Sequence, residues 1–433
     1  MVSFIPIIIW TIIISFSVIK TKSDKLFITL LFLPLFIYPT IQIGSARISS
    51  LYYVCVCYLI LVLICRKKNL SITTASYIGI ALLILCCYIL GWASNGVGGI
   101  VVPIIGFAKF LPIIMAMDLL LNHTEQNALL QGFQKALDIS VCIDFIVALG
   151  QIFQPTVTST ITDYFFYNDE TINFSDVLLN EGFSSRIYGI FNHPSTQAVF
   201  CLIVFSFYLT RMKERSINRL FFIISIFMGL ASCSKTFILG APIILILWFI
   251  INFRKIVNLR IMVAVTLIAL FCLFVFVNFD DIMNYIRSFN PVLAYYLNYL
   301  KSPIEALNTR YSIGNGNLSP MYSIIENHLI IGVGPNAISG EEVLDSAPLV
   351  ILHNGGILAL VLFLILFVSL LRKSLKYKQE DLIYMLTIIF ISGFAIPTWI
   401  FHAASLSVTV YVLLKTNLLK TGRASITKTV IDK

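Results

Sequence analysis

The sequence predicts an all-α, polytopic integral membrane protein of about 12–14 transmembrane helices, with two large loops on one face. Three observations predict it. Hydrophobic residues make up 58% of the 433 residues and charged residues only 12%, and the mean hydropathy of +0.93 lies far above that of soluble domains. Apolar runs of about 17–25 residues recur along the chain, the length a helix needs to cross a hydrocarbon core about 30 Å thick. Basic residues gather in alternate linkers, the positive-inside pattern.

The expected spans cover residues 3–19, 26–44, 50–65, 72–92, 99–121, 136–152, 195–210, 220–234, 237–253, 260–278, 348–371, 382–398 and 401–417. The first has no basic residue before it and Lys20, Lys22 and Lys25 after it. That reverses the charge order of a signal peptide, so it reads as a retained span with an outside N-terminus. Arg66, Lys67 and Lys68 follow the third span, and Lys135 precedes the sixth. Arg211, Lys213, Arg215 and Arg219 follow the seventh, Arg254, Lys255 and Arg260 the ninth, and Arg372, Lys373, Lys376 and Lys378 the eleventh. The tail adds Lys415, Lys420, Arg423, Lys428 and Lys433. These clusters all fall inside, and the opposite side keeps Arg47, Arg186, Arg287, Lys301 and Arg310. The formal charge of +9 is thus a topology signal, and no nucleic-acid motif accompanies it.

All nine cysteines (Cys55, Cys57, Cys65, Cys86, Cys87, Cys142, Cys201, Cys233 and Cys272) lie within or at the ends of apolar spans. No disulfide framework is expected from them. Cys55 and Cys57 stand too close on a helix for a zinc pair, and no histidine cluster joins them, so no metal site is expected. The chain lacks a GxxxxGK[ST] motif, which excludes a single-chain ATP-driven pump.

Most linkers are short, and the chain reads as a single membrane domain over 1–433. Two linkers are long, 154–194 and 279–347, and both fall outside. Loops of this length are usually functional or disordered. Tyr164-Phe165-Phe166-Tyr167 and Tyr295-Tyr296 argue against disorder, and short amphipathic helices at the membrane surface are expected.

Candidate chemistry collects at this face. Arg186-Ile-Tyr188-Gly189-Ile-Phe191-Asn192-His193-Pro194 closes the first long loop. Arginine binds phosphate oxygens bidentately and keeps its charge, while Gly189 and Pro194 permit a tight re-entry. An interfacial arginine on lipid headgroups is the plainer alternative. In the second loop Thr309-Arg310-Tyr311 leads, through an apolar stretch Met321–Ile331 expected to be helical, to Gly332-Val-Gly334-Pro335-Asn336. That turn either offers N–H groups to an anion or is a plain turn. His353-Asn354-Gly355-Gly356 opens the eleventh span. Its imidazole is either a general base for a hydroxyl or a satisfied structural group. Ser232-Cys233-Ser234-Lys235-Thr236 places at this face one more cation, either part of a site or an outward-snorkelling turn residue. Lys109 and Asp144, midway through adjacent spans, read as a structural ion pair in preference to a proton relay.

Arg186 to Pro194, Ser232 to Lys235, Arg310 to Pro335 and His353-Asn354, in that order, resemble the bacterial O-antigen polymerase and O-antigen ligase superfamily over about residues 180–375. Its members combine many spans and two enlarged periplasmic loops with four loose motifs. These are an Arg-x-x-Gly-x-Phe-x-x-Pro-like segment, a Ser-x-Ser-Arg-like turn, an Arg leading into GxGP, and a His-Asn pair opening a late span. The earlier spans match only in hydropathy, and Lys235 stands where Arg is common.

The resemblance implies a GT-C-like, metal-independent and cofactor-free glycosyltransferase of the bacterial inner membrane, its active site facing the periplasm. Its donor would be a glycan on undecaprenyl diphosphate. Surrounding membrane lipid and a chain-length-determining membrane protein are the implied partners, with no nucleic acid. Within the superfamily the reading is a repeat-unit polymerase for O-antigen or capsule. The alternative is a ligase that passes the finished chain to lipid A–core. Arg186 and Arg310 would stabilise the leaving diphosphate, and His353 would deprotonate the acceptor hydroxyl. Lys235, His193, Tyr188 and Asn354 complete the substrate-binding set. Without an obvious nucleophilic carboxylate, displacement would be direct and inverting; Glu341, Glu342 and Asp345 keep the other course open. A flippase or other transporter predicts repeats, interrupted midplane helices and short loops. The long loops and absent repeat oppose it, and only Lys109 and Asp144 favour it.

Overall fold

A computed structural model describes every residue except 1–4, 20–23, 44–45, 65–68, 96–98, 123, 167–168, 182–183, 192, 257–273, 276, 313–318, 336–345, 397, 400–402 and 432–433. Most of the expected span 260–278 lies outside the described residues, as do Lys20, Lys22, Arg66, Lys67, Lys68, Arg260, Lys433, Cys65, Cys272, Asn192, Asn336, Glu341, Glu342 and Asp345.

The protein is predominantly α-helical, compatible with an all-α membrane protein. Among the described residues five helices are long and apolar enough to cross a membrane: Ile72–Ser94, Ile104–Leu121, Gln126–Phe153, Lys235–Phe253 and Ala347–Lys376. Shorter apolar helices cover Ile5–Phe16, Lys25–Leu35, Ser50–Ile64, Pro194–Leu209 and Ser216–Ala231.

The first part comprises α1 (Ile5–Ile19), α2 (Lys25–Phe32), α3 (Ser50–Ile64), α4 (Ile72–Asn95), α5 (Val101–Ala108), α6 (Leu111–Leu121) and α7 (Gln126–Phe153). Two expected spans change here. The one at 26–44 ends early: a 3₁₀ turn covers Leu33–Leu35, and β1 (Thr40–Ile43) then pairs antiparallel with β2 (Ala46–Ser49). Pro34 and Pro39 lack the N–H groups that would continue the helix. The span at 99–121 still provides a crossing helix, Ile104–Leu121, but its hydrogen-bond run is interrupted at Lys109 and Phe110, because Pro112 in the first turn of α6 has no N–H to continue α5. Lys109 caps the C-terminus of α5, where the helix dipole favours a cation, and lies 4.4 Å from the centre of the Tyr52 ring. Asp144 accepts instead from Ile190 N–H and Gln197, so the expected Lys109–Asp144 ion pair does not form.

The first long loop contains α8 (Pro155–Phe166) and α9 (Asp169–Glu181), followed by α10 (Pro194–Leu209), α11 (Ser216–Ala231) and α12 (Lys235–Ile256). The second loop holds α13 (Phe279–Phe289), α14 (Pro291–Leu297), α15 (Pro303–Tyr311) and α16 (Ser319–Asn327). Short helices are what the aromatic content of both loops predicts. The chain then runs through α17 (Ala347–Lys376), α18 (Glu380–Ser392) and α19 (Ala403–Ile431).

The centre of the bundle is α10. It is apolar on every face and buried along nearly its whole length, the mark of an interior helix. It packs against α11, α12, α18 and α19. At the end where α10 finishes, Asp381 pairs with Lys415 at 2.7 Å and with Arg211 at 3.2 Å, all three buried. Tyr411 donates a further bond to this carboxylate at 3.1 Å. Removing one member of such a group strands the others. Asp381→Ala should therefore destabilise the protein by about 3–5 kcal/mol, read as a lower thermal unfolding midpoint in detergent; an unchanged midpoint would show that the group is dispensable. The opposite end, where α10 begins, receives both long loops.

Candidate anion-binding site

The segment ahead of α10 is shaped by two side chains of α7. The Gln151 carbonyl oxygen accepts from Tyr188 N–H at 3.1 Å and Gly189 N–H at 3.0 Å, and its amide donates to the Gly189 carbonyl at 3.1 Å. Asp144 accepts from Ile190 N–H at 3.0 Å. Gly189 has φ +57°, and a Cβ there would fall 2.0 Å from the Asp144 carboxylate. Only glycine fits this turn without strain. The segment leading into it docks on the α11–α12 turn, with Ile187 N–H bonded to Ala231 O and Arg186 Nε to Ser232 O, each at 3.2 Å.

Three cations converge there. Arg186 lies beside Tyr296 and Phe174, its guanidinium 5.0 and 5.8 Å from their ring centres, within cation–π reach. Lys235, the first residue of α12, donates to Thr309 Oγ1 at 2.9 Å and sits 4.0 Å from the centre of the Tyr299 ring. Arg310 donates to the carbonyls of Ala395 at 2.6 Å and Phe394 at 3.3 Å, which pins α15 to the end of α18. Lys235 stands within electrostatic reach of both arginines.

His193 caps α10 and completes the cluster. Its Nδ1 accepts from Ser195 N–H at 3.0 Å, so the proton of the neutral ring is on Nε2. Burial, then Arg186 and Arg310, push its pKa down to about 4. At neutral pH it is an uncharged N–H donor among positive charges. Burial also lowers the pKa of Arg186, but a guanidinium keeps its proton in proteins. Among the described residues neither Arg186 nor Lys235 has a carboxylate partner. Cations held this way, at the N-terminal end of a buried helix, complement a compact anion carrying several negative charges.

His353 and Asn354 occupy a different locality. Gly356, with φ 66° and ψ −168°, breaks α17. The carbonyls freed by this break accept from the second loop, Val333 N–H reaching His353 O at 2.7 Å and Gly334 N–H reaching Asn354 O at 3.1 Å. Ile357 N–H returns to Leu329 O at 2.8 Å. The GxGP N–H groups that could have faced an anion are therefore used to bridge the kink. Glycines make the crossing possible, since a Cβ at Gly91 or Gly332 would meet backbone atoms at 2.8 or 2.6 Å. His353 is 1% exposed; its Nδ1 lies 2.8 Å from Asn354 Oδ1, and its Nε2 is buried without a partner among the described residues. When Asn354 accepts, Nδ1 holds the proton and Nε2 keeps a bare lone pair.

Tyr188 is fully buried, and its hydroxyl meets Ser175 at 2.8 Å and Thr162 at 3.1 Å, tying α8 to α9. The structure thus brings Arg186, Lys235, Arg310 and His193 together and leaves Tyr188, His353 and Asn354 in separate contacts. It adds Tyr296, Tyr299 and Thr309 around the cations, and Asp144, Gln151 and Gln197 beneath them. Gln151 and Gln197, as polar residues in apolar runs, were the available signals in the sequence. The chain matches no protein-family model and no curated protein.

Proposed function

We propose that the protein is a membrane-embedded polysaccharide repeat-unit polymerase. It transfers a glycan from undecaprenyl diphosphate to a carrier-linked repeat unit at the outer face of the bacterial inner membrane. The convergence of Arg186, Lys235 and Arg310 from three segments far apart in sequence carries this reading. A lipid diphosphate concentrates negative charge, and that charge grows as the glycosidic bond breaks. Donors already in place lower the barrier because they need not reorganise during the step. His193 donates from Nε2 to the same anion.

His353 is the base in this scheme. Its unpartnered Nε2 supports that role, whereas His193 sits among positive charges with its lone pair already engaged. The acceptor hydroxyl then has to reach the kink of α17. Direct displacement inverts the anomeric centre.

The test is reconstitution of the purified protein with carrier-linked repeat units. A ladder of lengthening glycans is the expected product. Transfer only to lipid A–core would make it a ligase, and movement of the carrier without a new glycosidic bond would make it a transporter. Orientation has its own check. Asp169→Cys and Glu305→Cys should both react with an impermeant thiol reagent from the periplasmic side; labelling of either from the cytoplasm would remove the proposed site from the compartment where the reaction occurs.

A further inference from the structure

We propose that Asp144 is a positioning residue, acting through the 188–190 turn and Gln197 to fix Arg186 and His193 in one anion-binding geometry. The inference rests on the cation cluster being the diphosphate site. A fully buried carboxylate in an apolar helix is costly unless donors compensate it. Its two donors are informative. Ile190 N–H, at 3.0 Å, lies between Arg186 and His193 in the chain, and Gln197 Nε2, at 2.6 Å, stands one turn beyond His193 on α10. One carboxylate therefore braces both sides of the segment that presents the guanidinium and the imidazole. The close approach of Gly189 leaves that segment little room to relax.

The bracing needs acceptor geometry more than charge. The Gln197 carbonyl oxygen is buried and unpartnered among the described residues. In Asp144→Asn, the new amide can keep the Ile190 bond through its oxygen and donate to Gln197 once that side chain turns its amide over. Asp144→Ala can do neither. A proton-carrying carboxylate would behave in the opposite way, with the asparagine variant as inactive as the alanine variant.

The experiment combines a ligand-free readout with a binding one. The imidazole of His193 is titrated by NMR in detergent for wild type, Asp144→Asn and Asp144→Ala, and inorganic pyrophosphate binding is measured by calorimetry. Release of the turn in Asp144→Ala should move His193 up from about 4 toward an ordinary histidine and weaken pyrophosphate about tenfold or more. Asp144→Asn should stay near wild type in titration and within about tenfold in chain extension. If Asp144→Ala does not fold, Gln151→Leu releases the same turn from its other support and should give the same shift. A His193 titration unmoved in Asp144→Ala or Gln151→Leu overturns the proposal, as does an Asp144→Asn protein as impaired as Asp144→Ala. Wild type that binds no pyrophosphate defeats the diphosphate reading and this inference with it. A normal wild type with unaffected variants defeats only the inference.

Discussion

Arg186→Ala and Arg310→Ala should each reduce chain extension by about a hundredfold or more while the protein remains in the membrane. In the proposed reaction a charge-assisted contact that strengthens as the diphosphate departs would contribute on the order of several kcal/mol to the barrier, and alanine would remove it entirely. Arg186→Lys and Arg310→Lys should restore only part of the rate, because an ammonium cannot reproduce the two-pronged guanidinium contact. The arginines differ in what else they hold. Arg186 bonds one carbonyl, that of Ser232, whereas Arg310 also anchors α15 to Phe394 and Ala395. Thermal unfolding of each variant separates lost chemistry from a loosened loop: Arg186→Ala should melt close to wild type, and Arg310→Ala somewhat lower. Near-normal glycan ladders from both alanine variants would refute the diphosphate clamp.

Much of this arrangement was legible in the sequence, for physical reasons. Apolar runs long enough to cross a bilayer predicted the long helices, and aromatic-rich loops predicted α8, α9 and α13 to α16. Arg186, Lys235, Arg310 and His193 were legible as polar groups where the charge pattern left few others. Their mutual approach was not, because it depends on how two loops fold over the α11–α12 turn. The hairpin at 40–49 was hidden because Thr40-Ile41-Gln42-Ile43 is apolar enough to extend a span, and only Pro34 and Pro39 argued against it. Matched depth in adjacent spans suggested pairing of Lys109 with Asp144. Each charge instead found a nearer solution, Lys109 at a helix C-terminus and Asp144 at backbone and amide donors. The GxGP and His-Asn segments read as separate features, yet their backbones bond directly across the kink at Gly356. Such a junction depends on φ angles that residue type permits without dictating.

His353→Ala should lower turnover by about a hundred- to ten-thousandfold, the usual loss when a general base is removed. A base works through its lone pair, which alanine removes entirely. His193 cannot supply one, because its Nδ1 already accepts from Ser195 N–H. It takes up its proton only near pH 4, and the added positive charge would strengthen its hold on an anion. His193→Ala should therefore be the milder change, weakening donor binding through loss of one N–H donor and the α10 cap. Asn354→Leu supplies a second check, because without the Oδ1 acceptor nothing keeps the Nδ1 tautomer in place and turnover should fall with little change in donor affinity. If His353→Ala turns over like wild type while His193→Ala is inactive, the base has been assigned to the wrong histidine. If both variants are fully active, the acceptor loses its proton without a side-chain base, and the orphaned Nε2 in the kink of α17 serves packing alone.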